Sequence, residues 1–159
     1  SWRAFIDLQK RGICKSIGVS NFTIEHLVEL EDKFGIIPAA NQVEFHPYHY
    51  QKELLEYCNS KNIVIEAYSP LVHAKRMDEP RLVSISEELG KTPAQVLIRW
   101  AMQRGMVVLP KSVNKDRIIE NFSVFDFEIS DSLMKRLDGL NESFVTCWDP
   151  HNPPSYAPV

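Results

Sequence analysis

No stretch of this 159-residue chain approaches the ~18 consecutive apolar residues a membrane helix needs, because Pro, Lys, Glu or Gln interrupts every hydrophobic run. Neither charge dominates. The 18 Lys and Arg set against 21 Asp and Glu leave a net −3, which offers no bulk attraction to nucleic acid or an anionic membrane. Cysteine is scarce: Cys14, Cys58 and Cys147 are odd in number, widely spaced and without a C-x-x-C pair, the pattern of reduced thiols in a cytoplasmic protein. No two of the six glycines lie two apart, so the G-x-G-x-x-G dinucleotide turn is missing, and so is a Walker loop. The N-terminus starts with Ser1 and carries nothing like a signal or transit peptide, so a piece of a longer protein is expected.

With 44% hydrophobic and 25% charged residues the composition is that of a folded globular chain, and the length suits roughly one domain. Short apolar runs, Cys14 to Val19, Ala39 to Val43, Ile63 to Tyr68 and Met106 to Leu109, alternate with helical patterns. Thr23 reads as an N-cap for a helix carrying Leu27, Leu30 and Phe34 and stopped by Gly35. A second helix covers about Gln51 to Lys61, and a third runs from Pro80 to Leu89 before Gly90. Thr92, Pro93 and Gln95 open a fourth as a capping box with proline at the first helical position, and Gly105 stops it. A last helix opens at Ser130 and stops near Gly139, followed by a Pro-rich tail without periodicity. Strands this apolar, separated by helices, predict a parallel sheet covered by helices, in either a doubly wound sheet or an eight-fold barrel. Polar residues gather at the C-terminal strand ends, the rim where barrels place their chemistry.

Several of those residues could bind a ligand. Lys111, Ser112 and Arg117 leave the fourth strand around Asn114, which can cap a short helix; an ammonium, a hydroxyl, a guanidinium and unpartnered N–H groups suit a phosphate dianion. A solvated loop is the plain alternative. Asn21 and Gln42 could hold a planar amide through paired donors and acceptors, or serve only as turn and strand-end amides. Tyr68 could stack on a flat ring or close a core edge. The Tyr-x-x-x-Lys pairs Tyr48 with Lys52 and Tyr57 with Lys61 read as helix-surface pairs. Glu44, His46 and His49 have no metal-ligand spacing, and His46-Pro47 is expected to shape a strand exit, so no metal is expected.

Ser16-Ile17-Gly18-Val19-Ser20-Asn21-Phe22, Asn41-Gln42-Val43-Glu44-Phe45-His46-Pro47, Ala67-Tyr68-Ser69-Pro70-Leu71 and Pro110-Lys111-Ser112 occur in that order. In these motifs the chain resembles the aldo-keto reductases, over nearly its whole length. The resemblance implies the C-terminal half of a TIM (β/α)8 barrel: one NADP-dependent oxidoreductase domain over 1–159, incomplete at the N-terminus. It implies NADPH as cofactor and a small-molecule carbonyl, an aldehyde or ketone, as substrate. Ser20, Asn21 and Gln42 would hold the nicotinamide carboxamide, Tyr68 would stack on the ring, and Ser69 and Leu71 would embrace the pyrophosphate. Lys111, Ser112 and Arg117 would grip the 2′-phosphate, with Glu120 and Asn121 at adenine. Trp148 would shape the substrate pocket. The family's Asp, Tyr, Lys and His catalytic set would precede Ser1, so no catalytic residue is assigned here and the chain alone is expected to be inactive. A non-catalytic nucleotide-binding protein on the same barrel is the alternative. After Leu71 the family often continues with glycine, whereas Val72-His73-Ala74 follows here. An intact protein of this kind is expected to be monomeric, and a half-barrel, with open strand edges, to self-associate.

Overall fold

The computed structural model describes residues 1–147. Parallel strands β1 (Val19–Ser20), β2 (Ala40–Glu44), β3 (Val64–Tyr68) and β4 (Val107–Leu109) follow one another in sheet order. Between and around them lie α1 (Trp2–Lys10), α2 (Ile24–Phe34), α3 (Lys52–Ser60), α4 (Pro80–Leu89), α5 (Pro93–Gln103), α6 (Lys115–Phe122) and α7 (Asp131–Asp138). The chain divides into two compact units, residues 1–43 with 51–66, and 44–50 with 67 onward.

In the first unit β1 pairs with β2 in the register Val19 to Asn41 and Ser20 to Gln42. The run beginning at Cys14 yields only two strand residues, although the Ala39 N–H still donates to the Ile17 carbonyl at 2.8 Å. Gly18 lies between them at a close approach: a Cβ there would stand 3.0 Å from the Ala40 carbonyl oxygen, so glycine is what lets the backbones meet. Trp2, Ile17 and Leu30 form a buried cluster with Ile6, Cys14, Phe22 and Phe34 packed around it. Thr23 caps α2 as expected, accepting from the His26 N–H, while the His26 ring accepts from the Thr23 N–H and completes a capping box. Gly35 ends the helix at φ 64°.

In the second unit α5 is the central helix, packed on α4, α6 and β4, with Val96, Leu97, Ile98, Trp100 and Ala101 buried. Its capping box of Thr92 and Gln95 is present, and the Gln95 amide also donates to the Ser123 carbonyl at 2.8 Å, tying α5 to the end of α6. Trp100 lies tilted against Phe45 and edge-to-face with Tyr50, and its indole N–H donates to Asp138 at 2.9 Å.

The strands are not covered on both faces. Burial alternates along β3, with Ile65 and Ala67 buried, Val64 44% exposed and Glu66 and Tyr68 half-buried; in β4, Val107 and Leu109 are exposed. Side chains on one face pack inward, and those of period two on the other meet solvent.

Candidate functional site

The first unit supplies an amide site. Asn21 sits at φ 57°, a left-handed position that asparagine tolerates better than most residues. Its N–H donates to the Gln42 carbonyl at 2.8 Å. The turn is held from beneath by Asn41, fully buried on β2, whose side chain accepts from the Phe22 N–H at 3.2 Å and donates to the Phe22 carbonyl at 2.8 Å. Ser20 donates through its hydroxyl to the Gln42 carbonyl at 2.9 Å and accepts from the Asn21 side-chain amide at 3.3 Å. Gln42 in turn donates to Glu66 at 2.8 Å, which fixes which way its amide points. Ser20, Gln42 and Glu66 lie on the wall of a cleft of about 750 Å³ whose apolar side is Trp2, Ile17 and Phe22. The sequence reading missed Asn41 and Glu66. No local spacing signals either of them, because each acts on a segment distant in the chain.

The second unit supplies an aromatic ring, a loop and a cationic turn. Tyr68 ends β3, and its backbone carbonyl accepts from the Phe45 N–H at 3.3 Å. Burial pushes its hydroxyl up to about 12, with Cys147 and Glu44 adding to the effect, so it stays neutral at ordinary pH. Ser69 follows at φ 49°, and its hydroxyl lies 3.1 Å from the His73 ring. After Leu71 comes a single turn, Val72–Ala74, in which all three residues have positive φ, 55°, 49° and 61°. This is the stretch where the resembled family often has glycine. Here a β-branched valine takes the left-handed position, and its side chain is fully buried, which holds it there.

At the end of β4, the Ser112 hydroxyl accepts from the Asn114 N–H at 3.1 Å, and Asn114 caps α6 by accepting from the Arg117 N–H at 3.0 Å. The expected short helix therefore exists, with Arg117 in its first turn and the orphan N–H groups of its start beside Ser112. Lys111 and Arg117 are exposed and take part in no ion pair among the described residues. Elsewhere on the surface Arg11, Lys33, Lys61, Arg76 and Lys91 all meet carboxylates. Glu120 is half-buried and Asn121 buried on the same helix. Trp148 lies outside the described residues.

Glu44 and His46, set aside on spacing, turn out to be a structural pair. Both are buried, with the His46 ring 3.0 Å from the Glu44 carboxylate. The same carboxylate accepts from the Thr146 N–H at 2.7 Å, the Thr146 hydroxyl and the Cys147 N–H at 3.0 Å. Burial alone would raise its pKa, but hydrogen bonds from His46, the Thr146 side chain and the two backbone N–H groups overcome that and hold it at about 2. No group of three or more metal-ligating side chains occurs among the described residues. Taken separately, the first unit presents side-chain amides at Asn21 and Gln42, and the second a neutral aromatic face at Tyr68 and a small cationic turn at Lys111 and Arg117.

Residues 1–142 match the Aldo/keto reductase family. An uncharacterized oxidoreductase, YtbE, of Bacillus subtilis is 47% identical over 152 residues, 96% of this chain and 54% of its own length. A glyoxal reductase of the same organism is 47% identical over 142 residues, 89% of this chain and 51% of its own. The chain thus spans about half the length of the curated relatives it matches. Among solved structures, Gox0644 in its apo form superposes with a TM-score of 0.91 at 39% identity, over 96% of this chain and 57% of that one. A Gox0644 variant has been solved in complex with NADPH and matches equally well. On the ordered strand-end motifs, the α/β architecture with its polar rim and these likenesses, the chain belongs to the aldo/keto reductase family, whose fold is the TIM barrel.

Proposed function

We propose that this chain is the cofactor-binding part of an NADPH-dependent reductase of aldehydes or ketones. The observation that carries the reading is the turn at Lys111, Ser112 and Arg117, where two exposed cations with no ion pair among the described residues flank a capped helix start. Such a turn fits the 2′-phosphate that distinguishes NADPH from NADH, because a dianion there meets a guanidinium, an ammonium and backbone N–H groups together. Glu120 and Asn121 are assigned to adenine, and Ser69 and Leu71 to the pyrophosphate. Ser20, Asn21 and Gln42 take the nicotinamide carboxamide: the Gln42 amide, already oriented by Glu66, leaves its carbonyl end for an incoming N–H donor. Tyr68 stacks on the ring and excludes water from that face. Trp148 is assigned to the substrate pocket.

When bound, NADPH supplies hydride to the carbonyl carbon, and the chain's own residues orient the nucleotide that carries it. None of them is assigned the proton donor. Burial raises the Tyr48 hydroxyl well above its ordinary value, and Tyr68 is likewise raised, so both stay protonated near neutrality. The 159 residues alone are therefore expected to bind nucleotide without turning over an aldehyde. Replacing both Lys111 and Arg117 with Ala in the full-length protein removes two charge-assisted contacts of about 1.5 kcal/mol each. The NADPH dissociation constant then rises by about 100-fold while that of NADH changes little, as read by nicotinamide fluorescence; equal losses for both nucleotides would count against the assignment.

A further inference from the structure

The turn 44–50, the loop 69–76 and the segment 141–147 are fastened to one another at five points. The Glu142 and Phe144 N–H groups both donate to the Tyr48 carbonyl, at 3.2 and 2.9 Å. Asn141 exchanges two hydrogen bonds with the Tyr50 backbone, at 3.1 and 3.4 Å. Arg76 donates twice to the Glu142 carboxylate, at 3.2 and 2.8 Å, and lies 4.3 Å over the Phe144 ring. The Cys147 sulfur stands 3.5 Å from the Ser69 hydroxyl and 3.6 Å from the His73 ring. Last, Glu44, only 3% exposed, accepts three hydrogen bonds from Thr146 and Cys147.

The loop needs such outside support. Ser69, Val72, His73 and Ala74 all sit at positive φ, a backbone that ordinary residues keep only where the surroundings over-determine it. The segment 141–147 supplies part of those surroundings, and Glu44 anchors its residues Thr146 and Cys147. We infer that Glu44 is a positioning residue for the loop that carries Ser69 and Leu71: by pinning Thr146 and Cys147 it keeps the segment on the loop, and so holds the loop in the shape that retains the nucleotide. The carboxylate accepts from His46, Thr146 and Cys147, and it acts on the loop through the segment that carries the last two. A neutral amide in its place turns an acceptor into a donor facing an N–H, which breaks the anchor while keeping its size.

The consequence for NADPH rests on the reductase reading above, whereas the fastening of the loop does not. Both are tested in the full-length protein with Glu44→Gln and with two milder variants, Thr146→Val and Arg76→Met, which leave no buried charge unpaired and keep the test alive if the first fails to fold. Amide hydrogen exchange within 69–76 is expected to quicken by at least about tenfold in each variant, while exchange in α5 stays as it was. The NADPH off-rate, followed by stopped-flow fluorescence, is expected to rise in parallel, and Glu44→Asp to restore part of the slow release. Loosening confined to 141–147 would overturn the inference, as would a uniform rise in exchange across the chain. An unchanged off-rate in variants whose loop has loosened would overturn it too. A parent protein that binds no NADPH would sink the reductase reading instead, and the exchange data would still decide the fastening.

Discussion

Ala74 is exposed and sits at φ 61°, a left-handed position that a Cβ makes costly. Replacing it with Gly removes a steric cost of about 1 kcal/mol, so Ala74→Gly is expected to raise the urea midpoint; a loss of stability would show that the side chain contributes something its exposure hides. Glu44 belongs to the same scale. Its carboxyl is held at about 2 against an ordinary 4.5, so its contribution is fully present above about pH 4.5 and fades as pH falls toward 2. That contribution is about 3 kcal/mol. Denaturation curves between pH 6 and 2 are expected to show this acid-dependent fall, and Glu44→Gln to flatten part of it. The residue's role was illegible in the sequence: its partners Thr146 and Cys147 stand a hundred positions away, and no local pattern announces them.

At the scale of elements, caps and stops were the most legible features, because they are chemistry between residues three or four apart. Thr23, Thr92, Asn114 and Ser130 each accept from the N–H three residues on. Gly35 and Gly90 end their helices in the left-handed conformation, whereas Gly139 ends α7 at φ −68° and uses no glycine freedom at all. Strand limits were less legible: Cys14 to Val19 reads as a strand, yet only Val19 and Ser20 qualify, since a ladder needs a partner and the partner lies on β2. Asn114 is the cap that shapes the cationic turn. Asn114→Ala is expected to cost about 1 kcal/mol in chemical denaturation and to weaken NADPH binding along with it, because the first turn of α6 loses its anchor; intact affinity would separate the helix start from the phosphate site.

At the scale of the whole molecule, Val64, Val107 and Leu109 stand 44%, 46% and 39% exposed on the strands, and β1 and β4 are the outer strands in sheet order. Apolar strand residues and open edges favour pairing with another copy. The 159-residue chain on its own is therefore expected to sediment faster as its concentration rises; a concentration-independent monomer would contradict this. The alternation of short apolar runs with capped helices, and the ordered strand-end motifs, were readable from the sequence, since each rests on neighbours along the chain and on residue type. Only the tertiary structure decided that Glu66 orients Gln42, that Asn41 holds the turn bearing Asn21, that valine occupies a left-handed position in the loop after Tyr68, and that Glu44 anchors residues 146 and 147. Each of these is a contact between distant segments or a backbone angle held by burial, and neither leaves a trace in local spacing.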